Sequence, residues 1–588
     1  MRIISLSIDG RYKGLADQTF DFSKSVHGSV IAFIGLNGSG KSQLLELIAE
    51  IFALLERIQR SDFKVKTRLP DTIKNLSLSY EIDDKEMNIE LYNFNKSIGC
   101  SVNNQDYMFF CKNRAKYDGT IKYDGSYVYG GSDPLVLPDY IVGYASGLHE
   151  NLQRPFLKNM MQYHDVEKVK ARREKELLNY SEDSEFDFEH INEINKKYAK
   201  NHKGIFSFNQ QTKEFTENST LLSKMIYLDY DNSGILLFCL ILLEQKEVEK
   251  ILAVLNGLYP INADLKYDVT KLQFHSDAFE DLKRLIKASG HHVHNGKEFL
   301  KNADSYIRYT EQSFYSEDEF FENEYLERFP KEMINFMFSN PYQVPKLRDM
   351  NYRDPSRLFE RLFRTQLLGL SKWRISNWSS LREDNFIGTV KKPLKTALPL
   401  SLASCTFQGK YGEVVGYDDL SDGEIQFATI LAGIRIFSHD NRNVLFLLDE
   451  PETHLNPAWR TYYNEYLGRA IVSSKNTQIL MTTHSPFMIS SLRKEQVYTF
   501  EKRENNIEMT PSESETFGTS FDVLIKRYFG LKSSISQTAV TKIKEYLRDD
   551  SVDGKEKAIE WINKNLGDSV EKVYLLSKLR VSSKTEER

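Results

Sequence analysis

Gly35-Leu36-Asn37-Gly38-Ser39-Gly40-Lys41-Ser42 packs three glycines, a lysine and a terminal hydroxyl into eight residues, a set suited to holding phosphate. Glycines let the backbone curl until successive N–H groups face one point, and a helix starting there favours negative charge. On this pattern Asn37, Gly38 and Gly40 line a phosphate cradle, Lys41 reaches the β and γ phosphates of ATP, and Ser42 offers its hydroxyl to Mg²⁺. A second run, Val444-Leu445-Phe446-Leu447-Leu448-Asp449-Glu450, ends an apolar stretch in two acids. Asp449 suits the same Mg²⁺, and Glu450 is placed to orient or deprotonate an attacking water.

Two further groups narrow the chemistry. In Leu420-Ser421-Asp422-Gly423-Glu424, Ser421 and the Gly423 backbone can donate to a phosphate at a helix start. The same spacing of Ser421 and Glu424 also makes a capping box, which needs no ligand. His484 closes the apolar run before Ser485-Pro486, where an imidazole can touch a γ-phosphate or simply serve structure.

These groups need strands and helices to hold them. Ser29 to Ile34 reads as a buried strand and Gln43 to Arg57 as an amphipathic helix, with the glycine loop between them. Asn443 to Leu448 and Thr477 to Thr482 read as buried strands, and Glu424 to Phe437 and Pro457 to Ala470 as helices. Between the halves, Ser61 to Tyr140 alternates as an antiparallel sheet and Leu135 to Tyr144 reads as a strand. Residues 232–377 read as mainly helical. The charges Lys168, Lys170, Arg172, Arg173 and Lys175 read as a solvated helix face, with a nucleic-acid patch as the alternative. The expected architecture is α/β: a parallel-sheet core plus an antiparallel β subdomain, with a mainly helical insertion and a helical C-terminal tail.

Composition bounds the class. The 588 residues carry 78 Lys plus Arg against 83 Asp plus Glu, a net charge of -5, unlike a nucleic-acid coat protein. At roughly 150 residues per domain the length allows about four domains. Cys100, Cys111, Cys239 and Cys405 are scattered with no CxxC pair, which argues against a disulfide framework or zinc knuckle and for a reducing cytoplasm. The longest apolar run, Ile235 to Leu243, is far short of the roughly 20 residues that span a bilayer. A cytoplasmic protein without membrane contact is expected.

The phosphate loop near the start, with LSDGE (Leu420 to Glu424), LFLLDEPETHLNP (Leu445 to Pro457) and TTHSP (Thr482 to Pro486) far along the chain, resembles the ABC-type ATPases of the SMC, RecF and OLD branch. The resemblance covers the head only. It implies an N-terminal lobe over 1–155, a helical insertion over 156–400, a second lobe over 401–510 and a helical region over 511–588. It also implies ATP and Mg²⁺ as ligands, slow ATP hydrolysis, and a head-to-tail dimer or higher oligomer. In that dimer Ser421, Gly423 and Glu424 of one copy close on ATP held by Lys41 of another. Gln153, which follows Gly143-Tyr144-Ala145-Ser146-Gly147, falls where the family's lobe-joining glutamine meets the metal, although many glutamines are simply exposed. Asp422 and Glu424 depart from the transporter form of the signature.

After His484 too little chain remains for a Toprim nuclease, and Asp549-Asp550 follows no apolar strand. The stretch Glu515 to Phe521 and the tail are similar to restriction-associated and Septu (PtuA-type, including retron-linked) anti-phage ATPases, which implies control of a separate HNH nuclease. A RecF-like DNA repair ATPase, binding DNA, is the alternative. A third is an autonomous nuclease built on His291, His292 and Asn295, a cluster equally at home in a surface turn.

Overall fold

The computed structural model describes residues 1–25, 30–63, 69–94, 97–103, 105–109, 121–123, 126–128, 135–146, 150–181, 188–218, 221–268, 284–285, 288–289, 333–339, 344–349, 354–368, 398–472, 475–503, 506–531, 535–548 and 551–585. His291, His292, Asn295 and Asp549-Asp550 lie outside them.

At the centre is a seven-stranded sheet whose order scrambles the chain. Met225–Leu228, Tyr140–Ala145, Val444–Asp449, Thr477–Thr482, Val30–Gly35, Val497–Arg503 and Asn506–Pro511 lie side by side. The first six run parallel and the last returns antiparallel. Parallel strands covered on both faces read as continuous apolar runs, and Val444–Asp449 is buried at all six positions. Its alternate residues serve two cores: Val444, Phe446 and Leu448 face one, and Leu445 and Leu447 face the other.

The first core packs against the helix Asp422–Phe437 and the buried segment Ile235 to Leu243. The second is shared with helix α1 (Lys41–Gln59) and an eight-stranded antiparallel sheet whose edge strands are Leu15–Asp21 and Ser126–Val128. The α/β architecture is therefore as the sequence indicated: parallel core, antiparallel β subdomain, helical insertion and C-terminal helices. Among the described residues no helix is long and apolar enough to cross a membrane.

Three local expectations change. The strand expected over Leu135 to Tyr144 begins only at Tyr140. The region 232–377 contains strands Tyr259–Asp268 and Met333–Ser339, which join Leu400–Gln408 and Val414–Gly416 in a four-stranded sheet. Their apolar runs are short, and short apolar runs do not separate strand from helix.

The basic run is also less solvated than expected. It lies on helix α2 (Glu150–Ser181), where Lys170 is buried and its Nζ donates to the Asn218 carbonyl at 2.8 Å. The Arg173 guanidinium sits 3.7 Å above the Phe215 ring and donates to Asn195 Oδ1 at 2.8 Å. Lys168 and Arg172 are exposed. The long stems of Lys and Arg bury along apolar surface when a strand such as Phe215–Glu217 offers a ring and an acid together.

Helix α1 is buried almost all round, its carboxylates included. Glu46 accepts from Arg154 Nη2 at 2.6 Å and from Lys13. Glu50 accepts from Arg154 Nε at 3.1 Å and Lys158 Nζ at 2.9 Å. Burial pushes the Glu46 carboxyl up. Glu50, although burial opposes it, is held below the usual carboxylate range by Lys158, Arg154 and Arg57. These pairs lock the helix after the phosphate loop to the helix that enters the insertion. Buried ion pairs add little net stability but cost several kcal/mol, ~3–5, when one partner is removed.

Candidate functional site

The glycine loop joins strand Val30–Gly35 to α1 and keeps its backbone open by conformation. Gly38 and Gly40 have φ of +76° and +94°, where a side chain is strained. A Cβ at Gly40 would also meet Ile507 Cδ1 at 2.5 Å, whereas one at Gly38 would meet nothing within 4 Å. Gly40 is the N-cap of α1 and no side chain caps that end, so the first N–H groups keep their donors for something outside the helix. Asn37 is exposed on the loop rim.

Lys41 is only 4% exposed. Its ammonium donates to the Gly35 and Leu36 carbonyls at 3.0 and 3.1 Å. Desolvation brings its pKa down to about 8, against the opposing pull of Glu450, Asp449 and Glu452. A buried cation held only by neutral oxygens, beside an uncapped helix start, fits a polyanionic phosphate chain.

The acids arrive from the neighbouring strands. Asp449 ends its strand buried, and its Oδ1 accepts from Ser42 Oγ at 2.7 Å and from Thr482 Oγ1 at 2.6 Å. A hydroxyl and one carboxylate are hard oxygen donors, fitting a Mg²⁺ that also keeps waters and phosphate oxygens. Among the described residues no group of three or more His, Cys, Asp or Glu could hold a metal alone. Glu450 follows at φ +48°, an uncommon conformation for a side-chain-bearing residue and a frequent mark of functional turns. Its N–H donates to Thr482 Oγ1 at 3.0 Å. Its Oε1 lies 3.3 Å from His484 Nε2, both side chains being partly exposed.

Ser42, Asp449, Glu450 and His484 are thus joined in one chain of contacts. Lys41 is electrostatically within reach of the acids. Gln153 bonds elsewhere: buried at the start of α2, its Nε2 donates to Asp229 Oδ2 at 3.3 Å. What touches the acid strand from that side is Ser146, whose N–H donates to the Asp449 carbonyl at 3.0 Å.

Ser421, Gly423 and Glu424 form a second, separate group. Ser421 is the N-cap of Asp422–Phe437, and the capping box is complete. The Ser421 N–H and hydroxyl both donate to Glu424 Oε2, at 2.8 and 2.7 Å. Ser421 is exposed, while Gly423 is buried so tightly that a Cβ would lie 2.6 Å from the His454 carbonyl oxygen.

Several contributors have no role in the motif reading. Thr482 bridges Asp449 and Glu450. Glu452, buried, accepts from Thr483 Oγ1 at 2.5 Å and from the His484 N–H at 3.0 Å. The C-terminal region reaches the rim: the Phe529 ring lies 6.4 Å from the His484 imidazole, and a Cβ at Gly530 would be 3.7 Å from Leu36. The signals for Glu452, Thr482 and Thr483 were their places within the LFLLDEPETHLNP and TTHSP runs.

The model of the family described as AAA ATPase domain matches residues 1–489. None of the curated proteins matches the chain. Among solved structures it is similar to the Smc head domain with an extended coiled coil bound to the C-terminal domain of ScpA, from Pyrococcus furiosus. That likeness has 14% identity and a TM-score of 0.28, covering 93% of this chain and 100% of the other. The SMC head domain of Thermotoga maritima gives 10% identity and a TM-score of 0.27, over 87% and 100% of the two chains. The recombination mediator protein RecF-ATPrS of the RecFOR pathway gives 11% and 0.30, over 86% and 97%. Likenesses at such scores say nothing about function.

Proposed function

The chain belongs to the AAA ATPase domain family, and from that premise we propose an ABC-type ATPase of the SMC, RecF and OLD branch whose paired heads act on DNA. The observation that carries the ATPase part of this reading is the contact chain Ser42–Asp449–Thr482–Glu450–His484, which gathers residues far apart in sequence beside an uncapped helix start. Gly38, Gly40 and Lys41 hold the phosphates of ATP and Asn37 closes the rim. Mg²⁺, held by Ser42 and Asp449, would neutralise charge developing on the phosphates. Glu450 takes a proton from the attacking water, and His484 keeps that carboxylate oriented and registers the γ-phosphate. Gln153 would reach a metal there only if its amide left Asp229. Ser421, Gly423 and Glu424 serve the nucleotide of a second copy, so the heads pair head to tail. The lobes are 1–155 and 401–510, with 156–400 as insertion and 511–588 as tail.

The test is ATP turnover with Mg²⁺ at rising protein concentration, with and without double-stranded and gapped DNA. Specific activity that rises with concentration and with DNA is expected. Turnover independent of both removes the paired-head, DNA-acting part. The position of Phe529 beside His484 favours a second reading, in which a partner bound to the tail senses the nucleotide. An HNH nuclease of a Septu or retron-linked anti-phage system is that partner in its narrowest form. Co-purification with a small nuclease would select it, and cleavage by the chain alone would select an autonomous nuclease.

A further inference from the structure

Glu452 is a buried acid that the hydrolysis scheme does not use. It is 4% exposed and lies in the turn just beyond Glu450. Its Oε1 accepts from the Thr483 hydroxyl at 2.5 Å and from the His484 backbone N–H at 3.0 Å. Its Oε2 is buried and has no hydrogen-bond partner among the described residues. A buried carboxyl with one unmatched oxygen lowers stability, so stability does not account for an acid at this position. What the oxygen does bond is informative. The turn carrying Glu450 meets His484 itself at two points, through the side-chain contact Glu450–His484 at 3.3 Å and through Glu452 to the His484 backbone, beside the bonds to Thr482 and Thr483. Without the bond from Glu452, the His484 N–H loses its acceptor, and the imidazole is held through its backbone only by the bonds of the neighbouring residues, such as Thr483 N–H to the Phe33 carbonyl at 3.0 Å.

We propose that Glu452 is a positioning residue for His484: its acceptor oxygen holds the His484 peptide at the distance from which the imidazole meets Glu450. This rests on Glu450 and His484 acting in ATP hydrolysis. The role needs an acceptor at Oε1 and not a charge, so glutamine should replace it and alanine should not.

The experiment is steady-state ATP turnover of the full chain with Mg²⁺ for Glu452→Ala, Glu452→Gln, His484→Ala, the Glu452→Ala/His484→Ala double variant and Glu450→Gln, with equilibrium binding of a fluorescent ATP analogue. Glu452→Ala is expected to lower kcat about 10- to 100-fold, as misplacing a catalytic group does, with KM unchanged. Glu452→Gln should stay within about threefold of the parent. In the His484→Ala background, adding Glu452→Ala should cost no more than about threefold further, because both act through one group. Full turnover in Glu452→Ala overturns the proposal, and so does an equal loss in both backgrounds. If Glu450→Gln and His484→Ala keep full turnover, the hydrolytic site itself is misassigned, a failure distinguishable from the other two. Should Glu452→Ala not fold, Thr483→Val tests the same tie: a lowered kcat at constant KM supports it, and unchanged kcat overturns it.

Discussion

The start of α1 and the start of the helix Asp422–Phe437 are both glycine-containing, serine-flanked helix N-termini, and they satisfy their polar groups in opposite ways. At α1 the cap is Gly40 in a left-handed conformation with no side-chain bond, and the nearest charge is a buried lysine held by carbonyls. At Asp422–Phe437 the cap is Ser421, and the Glu424 carboxylate has taken its N–H and hydroxyl. A helix end that leaves its donors open is prepared for an anion, whereas one closed by its own carboxylate must first give that bond up. The first terminus is a finished cradle, and the second is latched.

The sharpest way to break the contrast is Glu450→Gln. Turnover should fall about 10²- to 10⁴-fold, the worth of a positioned base, while ATP affinity stays unchanged and light scattering finds a larger ATP-bound species. Loss of binding instead would move Glu450 into the cradle. Next is Lys41→Ala, where losing a charge-assisted bond of about 1.5–3 kcal/mol should weaken ATP binding by about 10- to 100-fold in calorimetry. An equal loss in Ser421→Ala would erase the difference between the two termini.

A pH titration of binding sharpens it further. Lys41 in the ligand-free protein has its pKa lowered by burial to about 8, so the free protein loses that proton as pH rises through this value while phosphate favours the charged form. Affinity measured without divalent metal should therefore be flat below pH about 8 and fall above it, by at most about tenfold per unit. A profile flat to pH 10 would show that Lys41 keeps its charge or does not meet the phosphate. The smallest expected effect is at the latch. Ser421→Ala should cost about 1 kcal/mol of stability, the worth of an N-cap, in chemical denaturation, with ATP affinity unchanged when it is measured at concentrations too low for heads to pair.

How much of this could be read beforehand follows from where each signal sits. The glycine loop, the acids after an apolar run and the parallel core are legible because each is contiguous: Gly35 to Ser42 and Val444 to Glu450 carry their own context. The role of Thr482, which lies within TTHSP, was invisible because its work lies in one oxygen set between Asp449 and Glu450, a relation that exists only once two strands are neighbours. Glu452, which lies within LFLLDEPETHLNP, carried no role of its own for the same reason. Lys170 and Arg173 read as solvated because nothing local announces that Phe215 and Glu217 fold back over them. The strand Tyr259–Asp268 passed as helix because its partners, Met333–Ser339 and Leu400–Gln408, are distant in sequence.

The order of the central strands has a consequence for how the chain is made. Val30–Gly35, which leads into the glycine loop, is flanked by Thr477–Thr482 and Val497–Arg503, so both its neighbours leave the ribosome long after it does. Until then a fully apolar strand holds unpaired N–H and carbonyl groups, an edge that invites aggregation while non-local partners are awaited. Nascent chains of this protein should therefore draw heavily on chaperones. A fragment ending near residue 155 would hold the loop's residues without the sheet that gives them their shape.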